Sequence, residues 1–253
     1  MPLPDLKQIF EREYGRPPSS VEQQAAMEAL GDEYPAGLDT YSFVSRTELR
    51  EFAAQVAAGD TLIDLGCGRG GPGLWVAGTA GAKLVGVDLA QPALAHARRL
   101  ADRLGVQAAF TVGSFESPPL RDATADVVMT VDAFLFTPDK RAGFTELARV
   151  LRPGGRLAMT SWDYDGQPRN RPPQVPDHRP LAEEAGLTVL RYDETDDWLR
   201  RCQVFADFLL EHADEAAAEA GMPTSVLRAA LRDMRDSTDL MTRRFLLVAE
   251  KPR

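Results

Sequence analysis

Apolar residues follow two different spacings along the chain, and the change falls near residue 60. Before it, they recur every three or four positions over 4–14, 20–31 and 45–58, as in helices with one buried face. Beyond it, short apolar runs alternate with helical patterns as far as residue 162. This alternation predicts an α/β fold with a parallel sheet covered by helices on both faces.

Capping residues, prolines and glycines give the predicted ends of the helices and strands. Ser20 with Gln23, and Ser45 with Glu48, have the spacing of capping boxes at helix starts. The predicted central helices are 92–104 and 138–151, the second starting at Pro138 and stopped by the RPGG sequence of 152–155. The predicted strands are 61–65, 83–90, 108–114, 125–131, 156–162 and 243–251, and a short helix and strand are predicted within 181–194.

One domain is predicted, in four parts. Residues 1–59 form an N-terminal helical lid, and 60–195 form the core, which includes a proline-rich loop at 163–180 that we expect to border a ligand crevice. A helical insertion follows at 196–240, where the stripe of residues 198, 202, 205 and 209 indicates a buried face, and 241–253 holds the last strand.

Composition excludes several classes of protein. A net charge of −9 over 253 residues is unfavourable for binding a polyphosphate chain, so nucleic acid is not the expected substrate. Two cysteines, Cys67 and Cys202, provide neither a disulfide framework nor a metal-binding spacing. With no signal peptide and no apolar run long enough for a membrane span, we expect a soluble cytoplasmic protein without a metal.

The stretch Asp64–Gly73, DLGCGRGGPG, has five glycines in ten residues directly after a predicted strand. Gly66, Gly68 and Gly71 satisfy G-x-G-x-x-G, and Asp88 follows about twenty positions later, where a carboxylate can hold ribose hydroxyls. Glycine spacing alone therefore permits a nicotinamide dinucleotide. Asp64 favours another cofactor, because a carboxylate beside the loop repels a pyrophosphate and attracts a cation.

With these segments the chain resembles class I S-adenosylmethionine-dependent methyltransferases, especially those that act on quinones, small amines and bacterial secondary metabolites. The matching segments are DLGCGRGGPG, VGVDLA at 85–90, GSF at 113–115, VDAFLF at 131–136 and LARVLRPGGRLAMTSWD at 147–163. The resemblance implies a Rossmann-like, doubly wound, mostly parallel sheet of seven strands. The segment RRFLLVAEK is similar to the antiparallel last strand of that fold, which nicotinamide-binding domains do not have.

The resemblance also implies the cofactor S-adenosyl-L-methionine, with S-adenosyl-L-homocysteine as its product. Ser114 replaces an acid that often reaches the adenine amino group in the family, so its hydroxyl or a backbone group must serve, while Phe115 can stack on adenine. The implied cofactor contacts are Tyr41, Ser42, Arg46, Asp64, Gly66, Cys67, Gly68, Gly70, Asp88, Leu89, Ser114, Phe115, Asp132 and Ala133.

The implied reaction is methyl transfer to oxygen, nitrogen or carbon of a small molecule, by in-line displacement that needs mainly positioning. If the acceptor must lose a proton, Asp132, Asp163, Tyr164 and His178 are candidate bases at strand ends or in the loop, although His178 could equally be exposed to solvent. His212 could face the substrate or be a partly buried structural residue. The candidate pocket residues, which suggest a partly aromatic or hydrophobic acceptor, are Phe134, Phe136, Trp162, Trp198, Phe205 and His212.

Two alternatives remain open. The fold could bind the cofactor but catalyse a step without methyl transfer, such as a cyclisation, or it could be a binding subunit without activity. We expect a monomer or a homodimer, and the sequence names neither the acceptor nor the atom methylated.

Overall fold

The computed structural model describes residues 5–38, 42–169 and 171–253. Its seven strands form one sheet in the order β3-β2-β1-β4-β5-β7-β6. They are β1 (Thr61–Leu65), β2 (Lys83–Asp88), β3 (Ala108–Val112), β4 (Ala125–Val131), β5 (Leu151–Tyr164), β6 (Thr188–Glu194) and β7 (Met241–Glu250).

The first five strands pair in parallel, and β7 is antiparallel to both β5 and β6. This topology confirms the predicted fold class, including the antiparallel last strand. The helices are α1 (Leu6–Tyr14), α2 (Ser20–Leu30), α3 (Arg46–Ala53), α4 (Gly71–Ala80), α5 (Gln91–Leu104), α6 (Lys140–Val150), α7 (Arg179–Glu184), α8 (Trp198–Glu211), α9 (Ala213–Ala220) and α10 (Thr224–Thr238).

Successive side chains of β1 point to opposite faces of the sheet, and both faces are buried. Leu62 packs into the cluster beneath α3, α4 and α5, whereas Ile63 packs into the cluster beneath α6 and α7. Because side chains alternate across a strand, an unbroken apolar strand of this kind requires cover on both faces. A third cluster joins α2 to α8, α9 and α10, so the N-terminal helices and the insertion meet.

Three predicted elements, α2, α6 and β5, have wrong ends. The cap of α2 is Ser19 rather than Ser20, because the Ser19 hydroxyl accepts the hydrogen bond from Glu22 N–H. Helix α6 begins at Lys140 with Asp139 as its cap, whose side chain accepts from Ala142 N–H, and Pro138 lies outside it. An acidic N-cap that satisfies a free amide thus fixes the start better than a proline does.

The third error concerns β5, which starts at Leu151 and includes the RPGG sequence, where its pairing with β4 is irregular. The strand also continues to Tyr164, so the predicted loop 163–180 is reduced to 165–178 between β5 and α7. Pairing of Asp163 and Tyr164 with β7 extends the strand into polar sequence. In the described part of the chain, no helix is both long and apolar enough to cross a membrane.

Candidate active site

The glycine loop connects β1 to α4 at the carboxyl edge of the sheet. Gly66, Gly68 and Gly70 have φ angles of 73°, 52° and 83°, a region that L side chains rarely adopt. A Cβ at Gly66 would lie 2.5 Å from the Cβ of Ala133, so this position also has no room for a side chain. The loop therefore presents bare backbone at the edge of the sheet.

Asp64 lies beneath this loop and is only 2% exposed. Its carboxylate accepts the N–H of Gly73 at the start of α4, and a Cβ on Gly73 would lie 2.4 Å from Oδ2. Burial, and then the nearby charge of Asp88, raise the pKa of Asp64 well above its usual range. A cation bound at this edge would stabilise the ionised carboxylate.

Asp88 ends β2 and faces the glycine loop. Its Oδ2 accepts Gly68 N–H and its Oδ1 accepts Ala90 N–H, both at 2.8 Å. Each carboxylate oxygen has two lone pairs, so the side chain can still accept hydroxyl donors. Burial raises the pKa of Asp88, while these amides oppose the shift.

Two cavities open at this edge and meet at Gly66 and Asp132. The larger cavity, of about 590 Å³, extends from the glycine loop to the helices α1, α2, α8, α9 and α10. The smaller cavity, of about 80 Å³, lies between the end of β2 and the segment 113–116. The Phe115 ring lines the smaller cavity and packs edge-to-face on Phe134, with ring centroids 5.2 Å apart.

Most predicted cofactor contacts lie at these two cavities. Ser42, Asp64, Gly66, Cys67, Gly68 and Asp132 line the larger one. Gly66, Asp88, Leu89, Ser114, Phe115, Asp132 and Ala133 line the smaller one. Gly70 lies away from both linings, packed against Ala97 of α5, and Arg46 is exposed at the start of α3. Tyr41 is outside the described residues.

Asp132 follows β4 with a φ of 53° and is held by the buried guanidinium of Arg244. Arg244 Nε lies 3.0 Å from Oδ1 and Nη2 lies 3.1 Å from Oδ2, and Phe43 N–H also donates to Oδ2 at 3.0 Å. These three hydrogen bonds direct both carboxylate oxygens toward protein donors, which leaves fewer lone pairs for a substrate. The geometry therefore argues against Asp132 as a base, although the residue does line both cavities.

The other three candidate bases lie away from the cavity linings. His178 is 0% exposed, which excludes the solvent-exposed alternative, and its Nδ1 lies 2.9 Å from Oδ1 of Asp163. Tyr192 O–H donates to the same oxygen at 2.7 Å, and Arg243 Nε donates to Oδ2 at 3.0 Å. Tyr164 is also buried, and burial raises the pKa of its phenol to about 12.

Three of the six predicted pocket residues line the larger cavity, namely Phe136, Trp162 and Phe205. Phe134 packs instead between the rings of Phe115 and Phe144 in the core. Trp198 packs in one apolar cluster with Trp162 and Cys202 but does not itself line the cavity, and its indole N–H donates to Glu194 at 2.8 Å. The His212 ring stacks on Phe208 and its Nδ1 contacts the carbonyl oxygen of Phe208, as expected of a structural histidine.

Several residues of the site were not predicted from the sequence. Phe10, Tyr14 and Glu22 of the first two helices line the larger cavity, because α1 and α2 close over the glycine loop. The sequence did offer a sign of the role of Arg244. It lies in the apolar strand RRFLLV, and a charged residue that is buried must find partners.

The sheet order, the antiparallel β7 and the two acids around the glycine loop define the fold of class I S-adenosylmethionine-dependent methyltransferases. Within this class, residues 63–159 match the sequence profile described as "Methyltransferase domain". The matched segment covers less than half of the chain and runs from β1 to β5.

Among curated proteins, the O-methyltransferase resE of Aspergillus sclerotiorum is 27% identical over 187 residues, covering 66% of this chain and 70% of that protein. Four curated relatives at 30–34% identity are matched over 29–38% of their own length. The chain thus spans about a third of the length of these four relatives.

Two solved structures are similar over nearly the whole chain. The [4+2]-cyclase SpnF has a TM-score of 0.77 at 21% identity, covering 100% of this chain and 98% of that chain. A geranyl diphosphate C-methyltransferase from Streptomyces coelicolor A3(2), in complex with Mg²⁺, geranyl-S-thiolodiphosphate and S-adenosyl-L-homocysteine, has a TM-score of 0.68 at 17% identity and covers 99% of each chain. At these identities the similarity establishes the fold.

Proposed function

We propose that this protein transfers a methyl group from S-adenosyl-L-methionine to a small hydrophobic molecule. The observation that carries the proposal is the meeting of the two cavities at Gly66, with Asp64 and Asp88 beside them. The curated relative resE is named as a methyltransferase, and the Streptomyces coelicolor enzyme was crystallised with S-adenosyl-L-homocysteine, which supports this choice of cofactor.

The residues fit this cofactor better than a dinucleotide. Asp64 and Asp88 are both buried with raised pKa values. A further negative group beside them, such as a pyrophosphate, would raise the electrostatic energy of the site. A cation and two ribose hydroxyls would lower it instead. Asp88 would hold the ribose, Ser114 and Phe115 would border the adenine, and Asp64 with the bare backbone of Gly66 would border the methionine part.

When bound, the cofactor supplies a methyl group on a positively charged sulfur, which needs no nucleophilic residue from the protein. The chain's own task is to orient the acceptor and to exclude water. The helices α1 and α2 contribute to the latter, since the Tyr14 hydroxyl lies over Gly68, 3.0 Å from where a Cβ would stand.

The acceptor side of the larger cavity supports an apolar substrate. The Phe43 ring packs edge-to-face on both Trp162 and Phe205, with centroid distances of 6.3 and 5.3 Å, and all three residues line the cavity. The cavity volume is in the range of sites for drug-sized ligands, about 300–1,000 Å³. An acceptor with a substantial hydrocarbon or aromatic part would bury these rings.

Calorimetry with S-adenosyl-L-homocysteine tests the cofactor. We expect binding to the wild type and at least about tenfold weaker binding to Asp88→Asn, because one of the oxygens that would accept the ribose hydroxyls is replaced by a donor. Asp102→Asn, an exposed acid on α5, is the matched control and should bind as the wild type does. Equal affinity of Asp88→Asn and the wild type would contradict the cofactor placement.

A second function is favoured by the similarity to SpnF, a cyclase that shares the fold over the full length. In that case the protein would convert its substrate without consuming the cofactor, or would act only as a binding subunit. Quantifying S-adenosyl-L-homocysteine during turnover separates the possibilities: methyl transfer forms one molecule per product, whereas cyclisation forms none.

We further propose that the protein acts in the cytoplasm on a free small molecule rather than on nucleic acid, as one domain in a monomer or homodimer. The charge of −9 and the two free, buried cysteines, Cys67 and Cys202, support this. Light scattering after gel filtration would measure the oligomeric state, and a mass above that of a dimer would contradict it.

A further inference from the structure

Glu22 has the sequence position of a capping-box acid, but its side chain lines the larger cavity. The Ser19 hydroxyl accepts Glu22 N–H at 3.0 Å, which is half of a capping box. At the start of α3 the same motif is complete, because Glu48 Oε2 also accepts Ser45 N–H at 2.7 Å. The comparison makes the position of the Glu22 carboxylate a departure that needs an explanation.

The start of α2 is satisfied by Glu219 of α9 instead. Glu219 Oε2 accepts from the Ser19 hydroxyl at 2.5 Å and from Val21 N–H at 3.4 Å, and Oε1 accepts from the Ser20 hydroxyl. These hydrogen bonds lower the pKa of Glu219, which therefore stays ionised. Because Glu219 accepts these hydrogen bonds at the N-terminus of α2, the Glu22 carboxylate is not needed there, and Glu22 lines the cavity instead.

Four charged groups surround the Glu22 carboxylate. Glu13 and Arg16 come from α1 and the turn after it, Arg69 comes from the glycine loop, and Glu219 comes from α9. Arg69 Nη2 donates to the carbonyl oxygen of Arg16 at 2.9 Å, which joins the glycine loop to the turn after α1. Burial first, and then Glu13, raise the pKa of Glu22 to about 7.

The other acids of the larger cavity are already engaged. Asp132 is held by Arg244, Glu13 forms an ion pair with Arg16, and Asp64 accepts Gly73 N–H. The two cysteines of the lining remain protonated thiols, because burial raises the pKa of Cys202 to about 12 and that of Cys67 well above its usual range. A protonated thiol cannot take a proton from the acceptor.

Building on the proposed methyl transfer, we propose that Glu22 binds the acceptor and takes its proton, and that the acceptor is an apolar molecule with a weakly acidic hydroxyl group. As the acceptor oxygen bonds to the methyl carbon, the carbon–sulfur bond breaks with its electron pair remaining on sulfur. The hydroxyl proton passes to the Glu22 carboxylate, so charge and atoms balance.

A hydroxyl fits this position better than an ammonium group. Arg16 and Arg69 balance the charges of Glu13 and Glu219 around Glu22, so these four neighbours do not decide between the two groups. An ammonium group, however, has no lone pair with which to attack the methyl carbon. A hydroxyl instead donates a charge-assisted hydrogen bond to the carboxylate without adding charge. The apolar part of the molecule then faces Phe43 and Phe205 across the cavity.

The test uses two probes, 4-hexylphenol and its methyl ether 4-hexylanisole, in which a methyl group replaces the hydroxyl hydrogen. Each is bound to the full chain saturated with S-adenosyl-L-homocysteine. Near pH 8, calorimetry should show the wild type binding the phenol about tenfold or more tightly than the ether. Below about pH 5.5 the preference should fall to about twofold or less, because Glu22 is then protonated.

Glu22→Met should remove the preference at both pH values, whereas Glu28→Met, the same change at an exposed acid of α2 outside the cavity lining, should keep it. A purely structural Glu22 would not give a pH-dependent preference for the phenol. The inference is overturned if the wild type binds both probes equally or binds neither, or if the preference survives in Glu22→Met. Failure to bind S-adenosyl-L-homocysteine would instead contradict the proposed function itself.

Discussion

Arg244 of β7 holds Asp132 at the end of β4 through two parallel hydrogen bonds, Nε to Oδ1 at 3.0 Å and Nη2 to Oδ2 at 3.1 Å. The same guanidinium donates from Nη1 to Glu48 at 2.5 Å and to Thr195 at 3.0 Å. One fully buried residue thus connects the last strand to the lid helix α3 and to a backbone position that has a positive φ. The cluster fixes the lid relative to both cavities.

Removing this guanidinium should strongly destabilise the fold. Arg244→Met leaves Asp132 buried without its cation and Glu48 with only Arg201, 3.6 Å away, at a cost of about 3–5 kcal/mol. Urea unfolding measures the loss. Arg235→Met, which breaks the half-exposed pair with Asp207, is the matched control and should cost at most about 1 kcal/mol. Similar losses in the two variants would contradict the role of the buried cluster.

Asp64 should reduce the stability of the ligand-free protein. Its folded pKa is raised by burial, so stability falls as the pH rises from the unfolded pKa, near 4, through the folded value. Asp64→Asn removes this penalty, and its melting temperature at neutral pH should exceed that of the wild type by about 2–4 °C for each ~1 kcal/mol gained.

The gain from Asp64→Asn should be nearly gone at about pH 4, where the folded wild type is protonated and Asp64 of the unfolded chain is about half protonated. The variant should also bind S-adenosyl-L-methionine more weakly. Thermal unfolding between about pH 4 and 8, with and without the cofactor, measures both effects. Asp102→Asn is again the exposed control. A lower melting temperature of Asp64→Asn at neutral pH would refute the argument.

His178 should make the protein sensitive to acid. Burial lowers its pKa, with the hydrogen bond to Asp163 opposing the shift. The folded state therefore resists protonation, so stability is fully present above the unfolded pKa of about 6.5 and is lost as the pH falls below it.

His178→Asn can keep the hydrogen bond to Asp163 but cannot titrate, and its unfolding free energy should depend less on pH between about 6.5 and 5. Chemical denaturation at several pH values provides the measurement. His212→Asn, the same change at the half-buried histidine that follows α8, is the matched control. The same slope in His178→Asn as in the wild type would be evidence against this account.

The alternation of strands and helices predicted the sheet, because unbroken apolar strands need cover on both faces. The spacing from Asp64 to Asp88 likewise predicted the edge at which the cavities lie. The candidate bases could not be assigned in the same way, because whether a polar residue faces a cavity depends on its partners from distant parts of the chain. His178 finds Asp163 and Tyr192, and Asp132 finds Arg244 from β7, 112 positions away. Pairs this far apart in the chain produce no pattern in the local sequence.

Gly66 provides a test of the glycine loop that separates backbone strain from lack of space. Gly66→Ala places a side chain at a φ of 73° and brings its Cβ to 2.5 Å from that of Ala133. The strain costs about 1–2 kcal/mol and the overlap adds about 1–3 kcal/mol. Gly105→Ala is the matched control, because its φ of 64° gives the same strain with nothing within 4 Å of the new Cβ.

Urea unfolding should therefore show a larger loss for Gly66→Ala than for Gly105→Ala. Adding Ala133→Gly to Gly66→Ala removes the opposing methyl group and should recover most of the difference, leaving the strain alone. The Phe115 ring, 3.2 Å from the new Cβ, can still shift. Equal losses in the two single variants, or no recovery in the double variant, would mean that close packing against Ala133 does not explain the glycine at position 66.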